Sequence, residues 1–147
     1  LALSELFFNL DCKPSNGKRA VITCVPYELH DVGTVVLANH CELQGWRADL
    51  LGANTPISDL LAYLDMANAN MLALSVTLPA HLSRLVEVVG SVADRFPQLD
   101  ILVGGQAMEA DTSAKNLRDA LLQRFRSVRD ITTLDELDAY LAAPHSV

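Results

Sequence analysis

The chain has 147 residues, half of them hydrophobic and a fifth charged, which suits one globular domain with one sizeable core. Eighteen Asp and Glu against 11 Lys and Arg give a formal net charge of −7, which argues against this chain gripping nucleic acid or an anionic membrane by itself. No apolar run reaches the roughly 18 residues of a membrane span, and Leu1 to Leu6 carry neither a basic n-region nor a cleavage pattern, so a cytoplasmic location is expected.

In chain order, residues 1–17 hold an apolar Leu6-Phe7-Phe8 and a loop-like stretch, read as a linker or the end of an upstream element. The missing initiator Met is read in the same sense, as a piece of a longer protein. A domain is expected over 18–147. Its first strand falls in 18–26, where the β-branched run Ala20 to Val25 lies between Asn16-Gly17 and Pro26. A helix follows over 30–45, with Val32, Val35, Val36, Leu37, His40 and Leu43 near helical period and Gly45 as its stop. Residues 47–52 form the second strand. Residues 58–68 form a helix with Leu60, Leu61 and Leu64 on one face. The third strand is 71–76, and Pro79 opens a long amphipathic helix to about residue 96. The fourth strand, 99–103, ends in Gly104-Gly105. A helix over 115–125, a short strand over 127–131 and a closing helix over 133–142 complete the chain, the last opened by a Thr133-to-Glu136 capping box.

Near-continuous apolar strands alternating with helices imply an α/β fold whose parallel sheet is covered on both faces. The expected architecture is a flavodoxin-like (βα)5 doubly wound sheet with strand order 2-1-3-4-5. Cys12, Cys24 and Cys41 are odd in number and lack CxxC spacing, so neither a disulfide framework nor a structural zinc site is expected. Cys24 and Cys41 read as buried free thiols.

Ligands of open doubly wound sheets bind beyond the carboxyl ends of the strands, at the switch point between strands one and three. The loops there carry Glu28, His30, Gly33, Ser75, Thr77, Gly104 and Gly105. A phosphoacceptor domain needs acidic residues after strand one and an Asp ending strand three, where this chain has Cys24-Val25-Pro26 and Ser75. A flavin-binding phosphate loop is not matched by Tyr27-Glu28-Leu29-His30, and GxGxxG is absent.

Glu28-Leu29-His30-Asp31-Val32-Gly33 resembles the Asp-x-His-x-x-Gly motif of cobalamin (vitamin B12)-binding domains. Ser75-Val76-Thr77 and Gly104-Gly105 match that family's later elements in order, and 45–56 is similar to its second strand and following loop. The resemblance spans about 18–130. It implies that His30 replaces the cofactor's own base as lower cobalt ligand and that the displaced tail enters the domain. An imidazole suits cobalt, and its other ring nitrogen can donate to a carboxylate. Gly33, Gly104 and Gly105 would let the tail approach, and Ser75 and Thr77 would offer it hydroxyls. On that basis Gly105→Leu is expected to abolish cobalamin uptake while leaving the fold intact.

Glu28 stands where the common motif has Asp. Cobalamin-dependent light-sensing transcription regulators are similar in this respect, which favours a sensory or regulatory domain binding adenosylcobalamin or methylcobalamin. Its output would come from an upstream domain or a regulatory protein partner, and the domain alone would have no turnover and no catalytic residue. Two alternatives stay open: the corrinoid-carrying module of a methyltransferase or mutase, and a haem-binding sensor with the same axial His. Among other residues, His40 reads as packing or surface, Trp46 as core, His81 as a helix-start residue near the pocket mouth, and His145 as tail. Asp130, Asp135, Glu136 and Asp138 read as a solvated helix end.

Overall fold

The computed structural model describes residues 16–29 and 32–144. Five strands, β1 (Arg19–Cys24), β2 (Arg47–Gly52), β3 (Met71–Ser75), β4 (Asp100–Gly104) and β5 (Val128–Asp130), form one parallel sheet in the order β2-β1-β3-β4-β5. Between them run α1 (Val32–Leu43), α2 (Ile57–Ala67), α3 (Leu82–Arg95) and α4 (Thr112–Arg124), with α5 (Leu134–Ala142) closing the described chain. The expected α/β class and strand order are both observed.

The strands alternate sides with period two, and each side has its own core. Val21, Leu72, Leu74, Ile101, Val103 and Val128 pack against Leu60 and Leu64 of α2, Leu85, Val88, Val89 and Val92 of α3 and Leu121 of α4. Ala20, Ile22, Met71, Ala73 and Leu102 face the other way, onto Ala38 and Cys41 of α1 and Leu137, Tyr140 and Leu141 of α5. The chain changes face between β1 and β3, so the crevice at their carboxyl ends is the topological switch point.

Two helix starts differ from expectation. Pro79 opens a short 3-10 turn (Pro79–His81) before α3 begins at Leu82. After Gly105 the chain makes a second 3-10 turn, Gln106–Glu109, and α4 begins three residues early because Asp111 caps it, its side chain accepting from the Ala114 amide at 2.8 Å. At α5 half of the expected box forms. Thr133 Oγ1 accepts from the Glu136 amide at 3.1 Å, while the Glu136 carboxylate reaches one residue further back, to the amide and hydroxyl of Thr132.

Trp46 is fully buried, donates its indole N–H to the Leu141 carbonyl at 3.1 Å and lies 6.2 Å from the Tyr140 ring, which makes it core. Cys24 and Cys41 are both buried. Cys12, His145 and the Leu6-Phe7-Phe8 segment lie outside the described residues.

Candidate functional site

The sheet register sets Cys24 opposite Ser75 and Ser75 opposite Gly104, so three central strands end in one row. From that row β1 runs into a turn closed by the Glu28 amide donating to the Val25 carbonyl at 3.1 Å. Pro26 occupies the second position and Tyr27 the third, with φ +70°, the left-handed value that a type II turn requires there. A tyrosine in that conformation costs about 1 kcal/mol, and three contacts offset the cost. The Tyr27 amide donates to Asn54 Oδ1 at 2.8 Å, the Asn54 amide donates to the Glu28 carbonyl at 2.9 Å, and the Arg84 guanidinium sits 4.8 Å over the Tyr27 ring. The loops after β1 and β2 are thereby stitched together.

Glu28 ties the same turn to the loop after β3. Its side chain is 0% exposed, and Oε2 accepts from the Thr77 amide (3.1 Å), the Leu78 amide (3.2 Å) and His81 Nδ1 (2.9 Å). Charge-assisted bonds of this kind are what make a buried carboxylate tolerable. His81, read from sequence as a helix-start residue near the pocket mouth, is committed to Glu28. Thr77 donates its amide to this carboxylate, and like Ser75 it stays partly exposed. His30 lies outside the described residues, between the exposed Leu29 and the start of α1 at Val32. Around the clamped turn, Tyr27, Leu29, Val32 and Leu78 expose apolar side chains.

The glycines divide into two kinds. A Cβ on Gly105, whose φ is +118°, would lie 2.1 Å from the Val76 carbonyl oxygen, and one on Gly104 would lie 2.7 Å from the Ile131 carbonyl oxygen. Both close approaches are to the protein's own backbone. The expectation that Gly105→Leu spares the fold is therefore corrected: that side chain would force β3 and β4 apart. A Cβ on Gly33 meets nothing within 4 Å, so this position is open on its outer side.

Beside Gly104 and Gly105 a cleft of about 280 Å³ opens at the ends of β4 and β5, lined also by Gln106, Met108, Glu109, Asp130, Ile131 and Thr132. Asp130 is not part of a solvated helix end, as its sequence context suggested. Its side chain is 16% exposed, Oδ2 lies 3.6 Å from an Arg118 nitrogen, and Oδ1 is buried with no hydrogen-bond partner among the described residues. Burial pushes its carboxyl above the usual carboxylate range, against the pull of Arg118. Asp138 pairs with His40 at 3.2 Å on the opposite face. Sequence reading missed the roles of Asp130, His81 and Asn54, because each acts on residues far away in the chain.

This arrangement fits a corrinoid. A clamped turn precedes His30 in the chain, exposed apolar side chains surround the turn, and a small cleft lies along the same edge. At the low end of the roughly 300–1,000 Å³ typical of small-molecule pockets, the cleft has room for a bicyclic base and not for a corrin ring.

Comparison with known proteins agrees. The B12 binding domain family matches residues 18–122. The HTH-type transcriptional repressor CarA of Myxococcus xanthus is 30% identical over 106 residues, covering 70% of this chain and 35% of CarA. The chain thus spans about a third of that relative's length. Among solved structures, a cobalamin-binding protein of Desulfitobacterium hafniense is 18% identical with a TM-score of 0.67, covering 86% of this chain and 60% of that one. The methanol:cobalamin methyltransferase complex MtaBC of Methanosarcina barkeri is 16% identical with a TM-score of 0.71, covering 93% and 51%. At these identities the two structures establish the shared fold. Family match, fold and site point the same way, and the chain belongs to the B12-binding domain family.

Proposed function

We propose that this chain is the corrinoid-binding part of a sensory regulator, with His30 as protein ligand to cobalt and the output supplied by another domain or a partner protein. The observation that carries the reading is the clamped turn at the switch point. Glu28 and Asn54 hold residues 25–28 against the loops on either side, so the residue two positions on from Glu28 starts from a fixed anchor. A metal ligand presented this way loses little conformational entropy on binding. Ser75, Thr77, Gly33, Gly104 and Gly105 frame the same edge and would flank the rest of the cofactor.

The sensory part rests on two further points. The similarity to CarA, a transcriptional repressor, covers most of this chain. The net charge of −7 disfavours DNA contact by this chain itself. When bound, adenosylcobalamin or methylcobalamin supplies a cobalt–carbon bond that light can break. The chain's own contribution would be to hold the lower ligand and to pass any shift of the turn, through Glu28, to Thr77, Leu78 and His81 at the start of α3.

Electron paramagnetic resonance of the Co(II)-loaded chain, with histidine labelled with 15N, tests the ligand. The expected result is a hyperfine pattern that responds to the label and disappears in His30→Ala. Retention of the cofactor's own base in the wild type would sink the assignment. The sensory role is tested by loading adenosylcobalamin in the dark and illuminating the full-length protein. A light-dependent change in assembly or partner binding is expected. Turnover in a methyl-donor assay with no such change would favour the methyltransferase or mutase module, and tight uptake of hemin without cobalamin would favour the haem sensor.

A further inference from the structure

Tyr27 stands at the third position of the turn after β1 with φ +70°, where Gly or Asn is at ease and a tyrosine is strained. Strain of this kind persists only where the surrounding structure imposes it, and it collects at ligand-binding positions. The ring does not offset it by joining a core, because Tyr27 is 60% exposed. What holds the ring is Arg84 of α3, whose guanidinium carbon lies 4.8 Å from the ring centroid. The Arg84 side chain is itself 45% exposed, and its 3.3 Å ion pair with Glu87 joins two exposed groups on one helix, an interaction worth little to folding. An exposed aromatic ring is thus braced by an exposed cation, on a turn whose backbone Asn54 and Glu28 clamp.

We infer that the Tyr27 ring, braced by Arg84, is a contact surface for the macrocycle of a bound corrinoid. The inference deepens the corrinoid reading above and rests on it. Tyr27 precedes His30 by three residues and meets the start of α3 just beyond the loop that Glu28 ties down, so the ring lies on the rim of the switch-point crevice. Leu29, Val32 and Leu78 expose apolar side chains around the same turn. A corrin carries methyl groups and amide arms along its edge. An aromatic face packs on the methyls, and a phenol hydroxyl exchanges hydrogen bonds with an amide. Tyrosine has only two side-chain torsions, and Arg84 restrains the ring before any ligand arrives, so little freedom is lost on binding.

The experiment titrates the full chain, its three tyrosines replaced by 3-fluorotyrosine, with cobinamide, a corrinoid that lacks the nucleotide tail. Fluorine magnetic resonance follows the rings, and the Tyr27 signal is identified by its loss in Tyr27→Phe. On loading, that signal is expected to shift more than those of Tyr63, bonded to Asp49, and Tyr140, packed in the opposite core. Absorbance titration gives dissociation constants in parallel. Tyr27→Asn relieves the strain and should unfold at the same or a higher urea concentration than the wild type. It should nonetheless bind cobinamide about tenfold more weakly, the loss expected for one well-packed aromatic contact. Tyr27→Phe keeps the ring and should recover most of that loss, and Arg84→Gln, which removes the bracing charge, should fall between. A Tyr27 signal that stays in place on loading overturns the inference, as does an affinity unchanged in Tyr27→Asn. Should Tyr27→Asn fail to fold, the fluorine shift decides alone. If the wild type takes up neither cobinamide nor cobalamin, the corrinoid reading itself falls, and this inference with it.

Discussion

Glu28 shows how one side chain can brace the loops around a site. Three donors from residues about fifty positions away converge on Oε2, and the carboxylate is out of contact with solvent. Glu28→Ala leaves those donors unpaired in a buried place and is expected to lower stability by about 3 kcal/mol, read by urea unfolding. Glu28→Gln keeps an acceptor and should cost less than half of that. Equal stability of Glu28→Ala and the wild type would mean that the clamp is not formed in solution. The glycines give the cleaner probe of cofactor approach. Gly105→Ala combines a left-handed φ with a clash against Val76 and should cost about 3 kcal/mol. Gly33→Leu, in open space, should leave the melting temperature within a degree or two, about 0.5 kcal/mol. If corrinoid packs there, that variant nonetheless weakens cobalamin binding. Unchanged affinity in Gly33→Leu removes Gly33 from the site. Burial, helped by Glu42 and Asp138, pushes the Cys41 thiol up to about 12, which favours the neutral thiol over the thiolate.

At the scale of elements, two helices begin where a side chain satisfies an orphan amide of the first turn. Asp111 does this for α4 and Thr133 for α5. Asp111→Ala and Thr133→Ala are each expected to cost about 1 kcal/mol, visible as loss of helical circular dichroism at lower denaturant. The segment between β3 and α3 has no such cap. Its short 3-10 turn is instead fixed from outside, by Glu28 accepting from Thr77, Leu78 and His81. Stability of this turn is therefore coupled to the turn that precedes His30. Loosening either should loosen the other, which hydrogen exchange of the Leu78 amide in Glu28→Ala would report as faster exchange.

Taken as a whole, the molecule is an acidic domain, and its response to pH bears on Asp130. Burial raises the pKa of this group, Arg118 lowers it, and Glu136, Glu109 and Asp119 raise it further. The folded value lies above the unfolded value of about 3.9, so folding favours the protonated form. The stability that Asp130 contributes by binding a proton is complete below pH ~4 and is lost as pH rises through the raised folded value. Asp130→Asn mimics the neutral form at every pH. Its stability relative to wild type should therefore improve between pH 4 and pH 7, measured as the difference in urea midpoints at the two values. A difference independent of pH would show that Asp130 keeps its ordinary pKa.

What the sequence determined by itself was everything that depends on short-range pattern. Apolar runs such as Ala20 to Val25 and Met71 to Ser75, spaced by helices, dictate a parallel sheet covered on both faces, and the right-handed crossover between parallel strands restricts how they can be ordered. The loops holding Glu28, Ser75, Thr77, Gly104 and Gly105 follow from that order, because ligand-facing residues sit where strands end at the switch point. Only the tertiary structure decided which atoms those residues address. Gly105 looked like room for a ligand and is room for Val76. Asp130 looked solvated and is held by Arg118 beside a cleft. Glu28 engages His81, which no local rule pairs with it. Each of these depends on a contact between residues about 10 to 50 positions apart. Periodicity and propensity are blind to such contacts, since they report which face a side chain takes and not what the fold brings opposite to it.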